Sequence, residues 1–265
     1  MLEKDRILVS CYHQVSREGE NFIGEHVLGY VVAGTQDVFL DGKHYAFKAG
    51  DFRFFARNQL AKFVKIPPAT GGDFKTVGIR MDQELLHSLS QETGVKADGI
   101  FKGERNFHLP EHKLLTHYRD SLQPYIDGQG VHSPILTMMK VKEAAMLLLQ
   151  LKPELKNLLF DFSAPGKIDL EAYMNEHYKF NVDISRFAYL TGRSLATFKR
   201  DFEKVFHTTP GKWLQQKRLE DAYYLIKEKG WKSTDVYLEV GFKDLSHFSF
   251  VFKKAYGVAP SRVSA

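Results

Sequence analysis

The 265-residue sequence predicts a two-domain α+β protein, with a strand-rich N-terminal part ending in helices and an all-helical C-terminal part. Three observations lead there. The N-terminal third breaks into short alternating segments bounded by turn signals. From Asp82 onward the apolar spacing changes to steps of three and four. Beyond Pro165-Gly166 one pattern of residues occurs twice.

Composition supports a folded globular chain, with 43% hydrophobic and 26% charged residues. The single cysteine, Cys11, has no partner for an internal disulfide, and the N-terminus lacks the charged, apolar, small-residue order of a secretory signal. The longest apolar stretch, Ala144 to Leu151, is far short of the ~20 residues that span a bilayer. A cytoplasmic protein with no membrane segment is expected. Net charge is +5, and it is unevenly placed: from Lys167 onward there are 17 Lys+Arg against 12 Asp+Glu, while the first 165 residues carry 20 of each. Such asymmetry fits a nucleic-acid-binding domain attached to a neutral one.

The strand segments are RILVSCYHQ, VLGYVVAG, DVFL, KHYAF, DFRFFA, AKFVKI and FKTVGI. Asp41-Gly42 is a favoured two-residue hairpin turn, and strands so spaced suggest an antiparallel sandwich or barrel. Helical spacing follows in DQELLHSLSQ, LPEHKLLTHYRDSLQPYI and SPILTMMKVKEAAMLLLQLKPELKNLL. In the last, Met138, Val141, Ala145 and Leu148 form a narrow apolar seam. Two readings stay open: the seam pairs with a second chain in a homodimer, or it packs onto its own sheet. Pro165 and Gly166 mark the linker, giving domains at 1–163 and 164–265.

The repeat runs DISRFAYLTGRSLATFKRDFEKVFHTTP, then TDVYLEVGFKDLSHFSFVFKKAYGVAP. Phe198, Phe202, Phe206 and Pro210 recur 50 residues later as Phe248, Phe252, Tyr256 and Pro260. Each copy reads as a helix, a glycine turn at Gly192 or Gly241, and a second helix capped by Ser194 or Asp244. Aromatics four residues apart fall on one helix face, so the opposite face points outward. It carries Ala196, Lys199, Arg200 and Glu203 in the first copy, and Ser246, Ser249, Phe250 and Lys253 with His247 alongside in the second. Small, polar and basic side chains on the second helix of a helix-turn-helix suit the DNA major groove. The candidate DNA-binding set is Ala196, Thr197, Lys199, Arg200, Ser246, His247, Ser249, Phe250 and Lys253. Between the copies, GKWLQQKRLEDAYYLIKEKG reads as one helix opened by Thr209 and Pro210 and closed by Gly230.

These residues resemble the AraC/XylS family of bacterial transcription regulators. Its second-module pattern is matched by Gly241, Phe242, Ser246, Phe248, Ser249, Phe252, Lys253, Tyr256, Gly257 and Pro260, and the resemblance covers about Ile168 to Val263. It implies base reading by Ala196, Lys199 and Arg200 in the first module and by Ser246, His247 and Ser249 in the second. Two residues depart from the pattern: Phe250 where arginine is frequent, and Tyr237 where alanine is common. The resemblance further implies a cupin-like antiparallel β-barrel in the N-terminal domain, with GDFRFFARNQLAKF as its strand-turn-strand centre. That domain would bind a small-molecule effector or mediate dimerisation. RNA polymerase is an implied partner of double-stranded-DNA-bound protein.

An enzyme is not expected, since no G-x-S-x-G, phosphate loop, zinc spacing or dinucleotide fingerprint occurs. No catalytic residue, cofactor or metal is assigned: His13, His26 and His44 are isolated and the paired His-x-His of cupin enzymes is missing. The alternatives are a regulator controlled by a protein partner and a cupin enzyme with one-off ligands fused to a DNA-binding domain. Cys11 reads as an ordinary buried strand cysteine before a redox sensor. Tyr12, Tyr30, Phe39, Phe54 and Phe63 are candidates to line an effector pocket, with alternation sending an unidentified subset into the core.

Overall fold

A computed structural model describes residues 6–17, 21–127 and 133–263. The chain divides into two compact units, one of residues 1–19 and 23–163, the other of residues 20–22 and 164–265.

The described residues hold ten strands, which apart from Phe22 all belong to the first unit: β1 (Ile7–Tyr12), β2 (Phe22–Ile23), β3 (His26–Ala33), β4 (Thr35–Leu40), β5 (Lys43–Lys48), β6 (Phe52–Phe55), β7 (Gln59–Leu60), β8 (Lys62–Ile66), β9 (Phe74–Met81) and β10 (Asn106–Leu109). They form a five-stranded sheet in the order β1-β9-β3-β6-β10, a three-stranded sheet β5-β4-β8 and a short β2-β7 ladder. The expected barrel is therefore not closed. Its strands are present, but they divide between separate open sheets, which stack in the manner of a cupin-like sandwich. Asp41 and Gly42 both take positive φ, 50° and 68°, the twist that two-residue hairpins require.

Five helices follow or interrupt the strands: α1 (Gln83–Thr93), α2 (Lys113–Ser121), α3 (Gln123–Ile126), α4 (Pro134–Leu151) and α5 (Lys156–Leu159). Asp82 caps α1, accepting from the Leu85 N–H at 2.8 Å. The segments read as continuous helices at 109–126 and 133–159 are each broken. Leu109 belongs to β10, and the first helix begins only after His112. Pro153 cannot continue α4, so the chain makes a short 3-10 turn before α5.

Strand alternation sends one face of the five-stranded sheet toward these helices. Leu28, Phe54, Val77 and Ile79 pack there with Leu85, Leu86, Leu89, Leu115 and Tyr118. Val141, Ala145 and Leu148 of α4 are completely buried in that same core and Met138 packs against it. The seam is thus spent within the chain and is not a dimer surface. The opposite side of α4 leaves Ile135, Leu136, Met139 and Met146 exposed. A second, smaller core lies between the sheets and includes Val31, Val38, Leu40, Phe47, Phe55 and Phe74.

From residue 164 onward the described part of the second unit is helical: α6 (Leu170–His177), α7 (Ile184–Leu190), α8 (Leu195–Phe206), α9 (Pro210–Lys227), α10 (Ser233–Glu239) and α11 (Leu245–Tyr256), closed by a 3-10 turn at Pro260–Arg262.

Candidate DNA-binding site

The two copies of the repeat fold as helix-turn-helix pairs, α7-α8 and α10-α11. In each, the turn glycine has positive φ, 67° at Gly192 and 96° at Gly241. Neither position has room for a side chain. A Cβ at Gly192 would lie 2.4 Å from the Gly166 backbone, and one at Gly241 would lie 2.6 Å from the Lys179 carbonyl oxygen. The following helices are capped as their sequences predict: Ser194 Oγ accepts from the Thr197 N–H at 3.2 Å, and Asp244 Oδ1 from the His247 N–H at 2.6 Å.

The aromatic rows face inward. Phe198, Phe202, Phe248 and Phe252 are completely buried. Phe206 packs at a tilt against Trp213 with ring centroids 4.6 Å apart, and Tyr256 meets Tyr223 at the same separation. Trp213 and Tyr223 both lie on α9. Its N-terminal half therefore completes the first module, while Leu219, Ala222 and Ile226 of its C-terminal half enter the core of the second. At ~1.5 Å per residue the 18 residues of α9 span about 27 Å. Thr209 precedes it as the N-cap residue and Gly230, at φ 67°, follows its end.

With the aromatics inside, the opposite faces of α8 and α11 lie in solvent. Ala196, Lys199 and Arg200 are exposed and Thr197 is half-buried, its hydroxyl accepting from Ser194 Oγ. Arg200 stands beside Asp201, with Nε 3.7 Å from Oδ1. The Asp201 carboxylate is already engaged by Arg193 Nε at 3.2 Å, and that bond holds its carboxyl below the usual range. Arg200 is therefore loosely held and able to turn outward. On α11, Ser246, His247, Phe250 and Lys253 are exposed and Ser249 is half-buried. Phe250, 68% exposed, is an apolar ring with no place in the core. All nine sequence-predicted residues thus lie on the two outward helix faces of one unit.

Two structural residues escaped the sequence reading. Arg193 fixes the first turn through the Thr191 carbonyl at 2.7 Å and the Ile168 carbonyl at 3.0 Å. Arg218, on α9, donates to three carbonyls: Tyr178 at 2.7 Å, Phe180 at 2.8 Å and Gly241 at 2.8 Å. Burial pulls the Arg218 guanidinium down to about 10, yet it remains a cation at neutral pH. It ties the spacing helix both to the turn of the second module and to the loop after α6. Its only sequence signal was an arginine within an otherwise amphipathic helix.

Cys11 is not buried: it is exposed on β1 and its thiol donates to Asp73 Oδ2 at 3.3 Å, which raises it above its ordinary value and away from thiolate chemistry. His13 bonds the same aspartate, His44 bonds Asp37, and His26 is fully buried and pushed down to about 3 by burial and the neighbouring Arg57. Among the described residues no group of three or more His, Cys, Asp or Glu is placed to hold a metal ion. No described helix is long and apolar enough to cross a membrane. Of the aromatics, Tyr12 and Phe63 pack against the core between the sheets, Tyr30 and Phe54 face the helices, and Phe39 is outside, stacked on His44.

Two matched helix-turn-helix modules sharing one spacing helix, following in sequence a separate unit of antiparallel sheets and helices, define a two-domain regulator of the AraC type. Two family models match accordingly: the ExsA N-terminal regulatory domain over residues 26–162 and a helix-turn-helix domain over residues 187–265. The chain belongs to the AraC/XylS family of transcription regulators. It is 29% identical over 133 residues to the HTH-type transcriptional regulator ExsA of Pseudomonas aeruginosa, covering 49% of this chain and 48% of ExsA. To the virulence regulon transcriptional activator VirF of Yersinia enterocolitica it is 29% identical over 152 residues, covering 49% and 56%. To the HTH-type transcriptional activator RhaS of Escherichia coli it is 26% identical over 178 residues, covering 67% and 63%. The chain spans about half the length of ExsA and VirF. Among solved structures, apo ToxT from Vibrio cholerae aligns over 97% of this chain and 96% of its own, with 12% identity and a TM-score of 0.48.

Proposed function

We propose that this protein binds double-stranded DNA sequence-specifically and activates transcription, under control of its N-terminal domain. The observation that carries the reading is the pair of outward faces on α8 and α11, held by one helix about 27 Å long. One turn of B-DNA is about 34 Å, so two recognition helices spaced in this way suit successive major grooves. In this reading Arg200 bonds a guanine edge, Ala196, Thr197 and Lys199 complete the first contact, and Ser246, His247 and Ser249 line the second. Phe250 offers apolar contact of the kind a thymine methyl accepts, and Lys253 meets phosphate.

The activator role, contact with RNA polymerase and a cytoplasmic location are proposed from kinship with ExsA, VirF and RhaS. The domain at 1–163 is proposed to receive a small-molecule effector, the domain at 164–265 to receive DNA. Control by a protein partner is the second reading; against a metal-dependent fused cupin enzyme stands that, among the described residues, no group of three or more His, Cys, Asp or Glu is placed to hold a metal ion. A homodimer formed through α4 would use the exposed Ile135, Leu136, Met139 and Met146 and not the buried seam.

Gel-shift titration of variants tests the assignment. Arg200→Ala is expected to weaken binding to the specific site by ~1–3 kcal/mol and flatten preference at one base position. Affinity and preference that stay at wild-type values would remove Arg200 from the reading set. Lys253→Ala is expected to weaken all sequences alike and to lower the salt slope by about one unit. A selective loss at one base would instead make Lys253 a reader.

A further inference from the structure

The helices α8 and α11 each run 12 residues from a leucine, and the repeat aligns them residue for residue. Ala196, Thr197, Lys199, Arg200 and Glu203 of the first thus correspond to Ser246, His247, Ser249, Phe250 and Lys253 of the second. Arg200, assigned above to a guanine edge, stands where α11 has Phe250, and both are exposed. The Phe250 ring is no part of the core that Phe248, Val251 and Phe252 enter. A lone exposed aromatic is ordinary on a protein surface. This one is distinguished by its place. Ser246 and His247 lie one turn before it and Lys253 and Lys254 one turn after it, all four exposed, so the ring is framed by polar and basic groups on the outward face of a recognition helix.

A phenyl ring can select little in the major groove. Guanine presents two acceptors there, adenine an acceptor and a donor, and cytosine a donor. Covering any of these with an apolar ring strips water from polar atoms and makes no hydrogen bond in return. Among the four bases only thymine carries an apolar group on that edge, its C5-methyl. Cytosine gains the same group when methylated at C5. The frame supplies what the ring lacks, because Lys253 and Lys254 attract the flanking phosphates without discriminating between bases. At the Lys253 position α8 has Glu203, of opposite charge. The two modules therefore divide the work differently: α8 offers a forked hydrogen-bond donor, α11 an apolar ring with a stronger hold on the backbone. A protein partner would call for a wider apolar patch than one ring, and the basic frame matches DNA.

We infer that Phe250 makes the second module a reader of the pyrimidine 5-methyl group, so that at one operator position α11 selects thymine, or cytosine methylated at C5, over unmethylated cytosine. Binding at such a site responds to cytosine methylation. This deepens the DNA-binding reading and rests on it. The full-length protein first selects its sites from a randomised DNA duplex library. Each thymine of a selected site is then replaced in turn by deoxyuridine, which removes the methyl and nothing else, and affinities are compared by gel shift at fixed salt. At one thymine the replacement is expected to weaken binding about fourfold, the effect of one buried methyl. At that position 5-methylcytosine is expected to bind more tightly than cytosine. Phe250→Ala, at an exposed position, is expected to melt as wild type does and to bind the thymine and deoxyuridine duplexes equally. The comparison of the two duplexes uses wild-type protein and does not depend on the variant. If sites are selected but no thymine responds to deoxyuridine, this inference falls and the DNA-binding reading stands. It falls equally if Phe250→Ala keeps the wild-type difference, which would leave the ring free for a protein partner. A protein that selects no site overturns both readings.

Discussion

Replacing Arg218 by methionine is expected to lower the stability of the helical unit by about 3 kcal/mol or more, which makes it the most damaging single substitution proposed for that unit. The side chain satisfies the carbonyls of Tyr178, Phe180 and Gly241 at once. Each buried acceptor left without a donor costs ~1–3 kcal/mol, less whatever water recovers. Arg218→Lys should restore only part of the loss, because a compact ammonium lacks the planar fork that reaches three separate acceptors. Calorimetry of the full-length protein should resolve the effect as an early transition of the helical unit, since two units need not melt as one. A helical-unit transition unmoved by Arg218→Met would show that the three carbonyls find other donors. Because Arg218 bonds the Gly241 carbonyl directly, the same variant should weaken binding to the half of the operator read by α11 before the half read by α8.

The second large effect concerns DNA spacing. Inserting ~5 base pairs between the two groove contacts of a single site rotates one of them half a turn around the duplex. The helix α9 cannot follow, because both of its halves are built into module cores: Trp213 against Phe202 and Phe206, and Tyr223 against Phe252 and Tyr256. Specific binding should collapse to the non-specific level, a loss on the order of 10³-fold or more at fixed salt. Inserting ~10 base pairs restores the face but not the distance and should rescue little. Equal affinity for native and insertion-bearing DNA in a gel-shift titration would defeat the two-groove arrangement.

Much of the helical unit was legible in the sequence because its signals are local. A glycine that must take positive φ, a serine or aspartate cap and an aromatic every fourth residue all act within one or two turns of chain. Their duplication at a fixed offset of 50 residues removes the ambiguity each has alone. The seven strand segments and the Asp41-Gly42 hairpin were legible for the same reason. The strands that were missed, β2, β7 and β10, have two, two and four residues, too short to display a period, and owe their conformation to a partner distant in the chain.

The sequence by itself determined that there are two helix-turn-helix modules, which side chains each outward helix face presents, and that one helix separates them. Only the tertiary structure decided the rest. It closed neither sheet into a barrel, assigned the α4 seam to its own core, turned Cys11 outward, and divided the five candidate aromatics among three environments. It also decided where Arg218 lies. A period of 2 or 3.6 residues tells which side chains share a face, but not what that face meets. Whether a buried arginine finds three carbonyls depends on segments far apart in the chain, and no local pattern encodes that meeting.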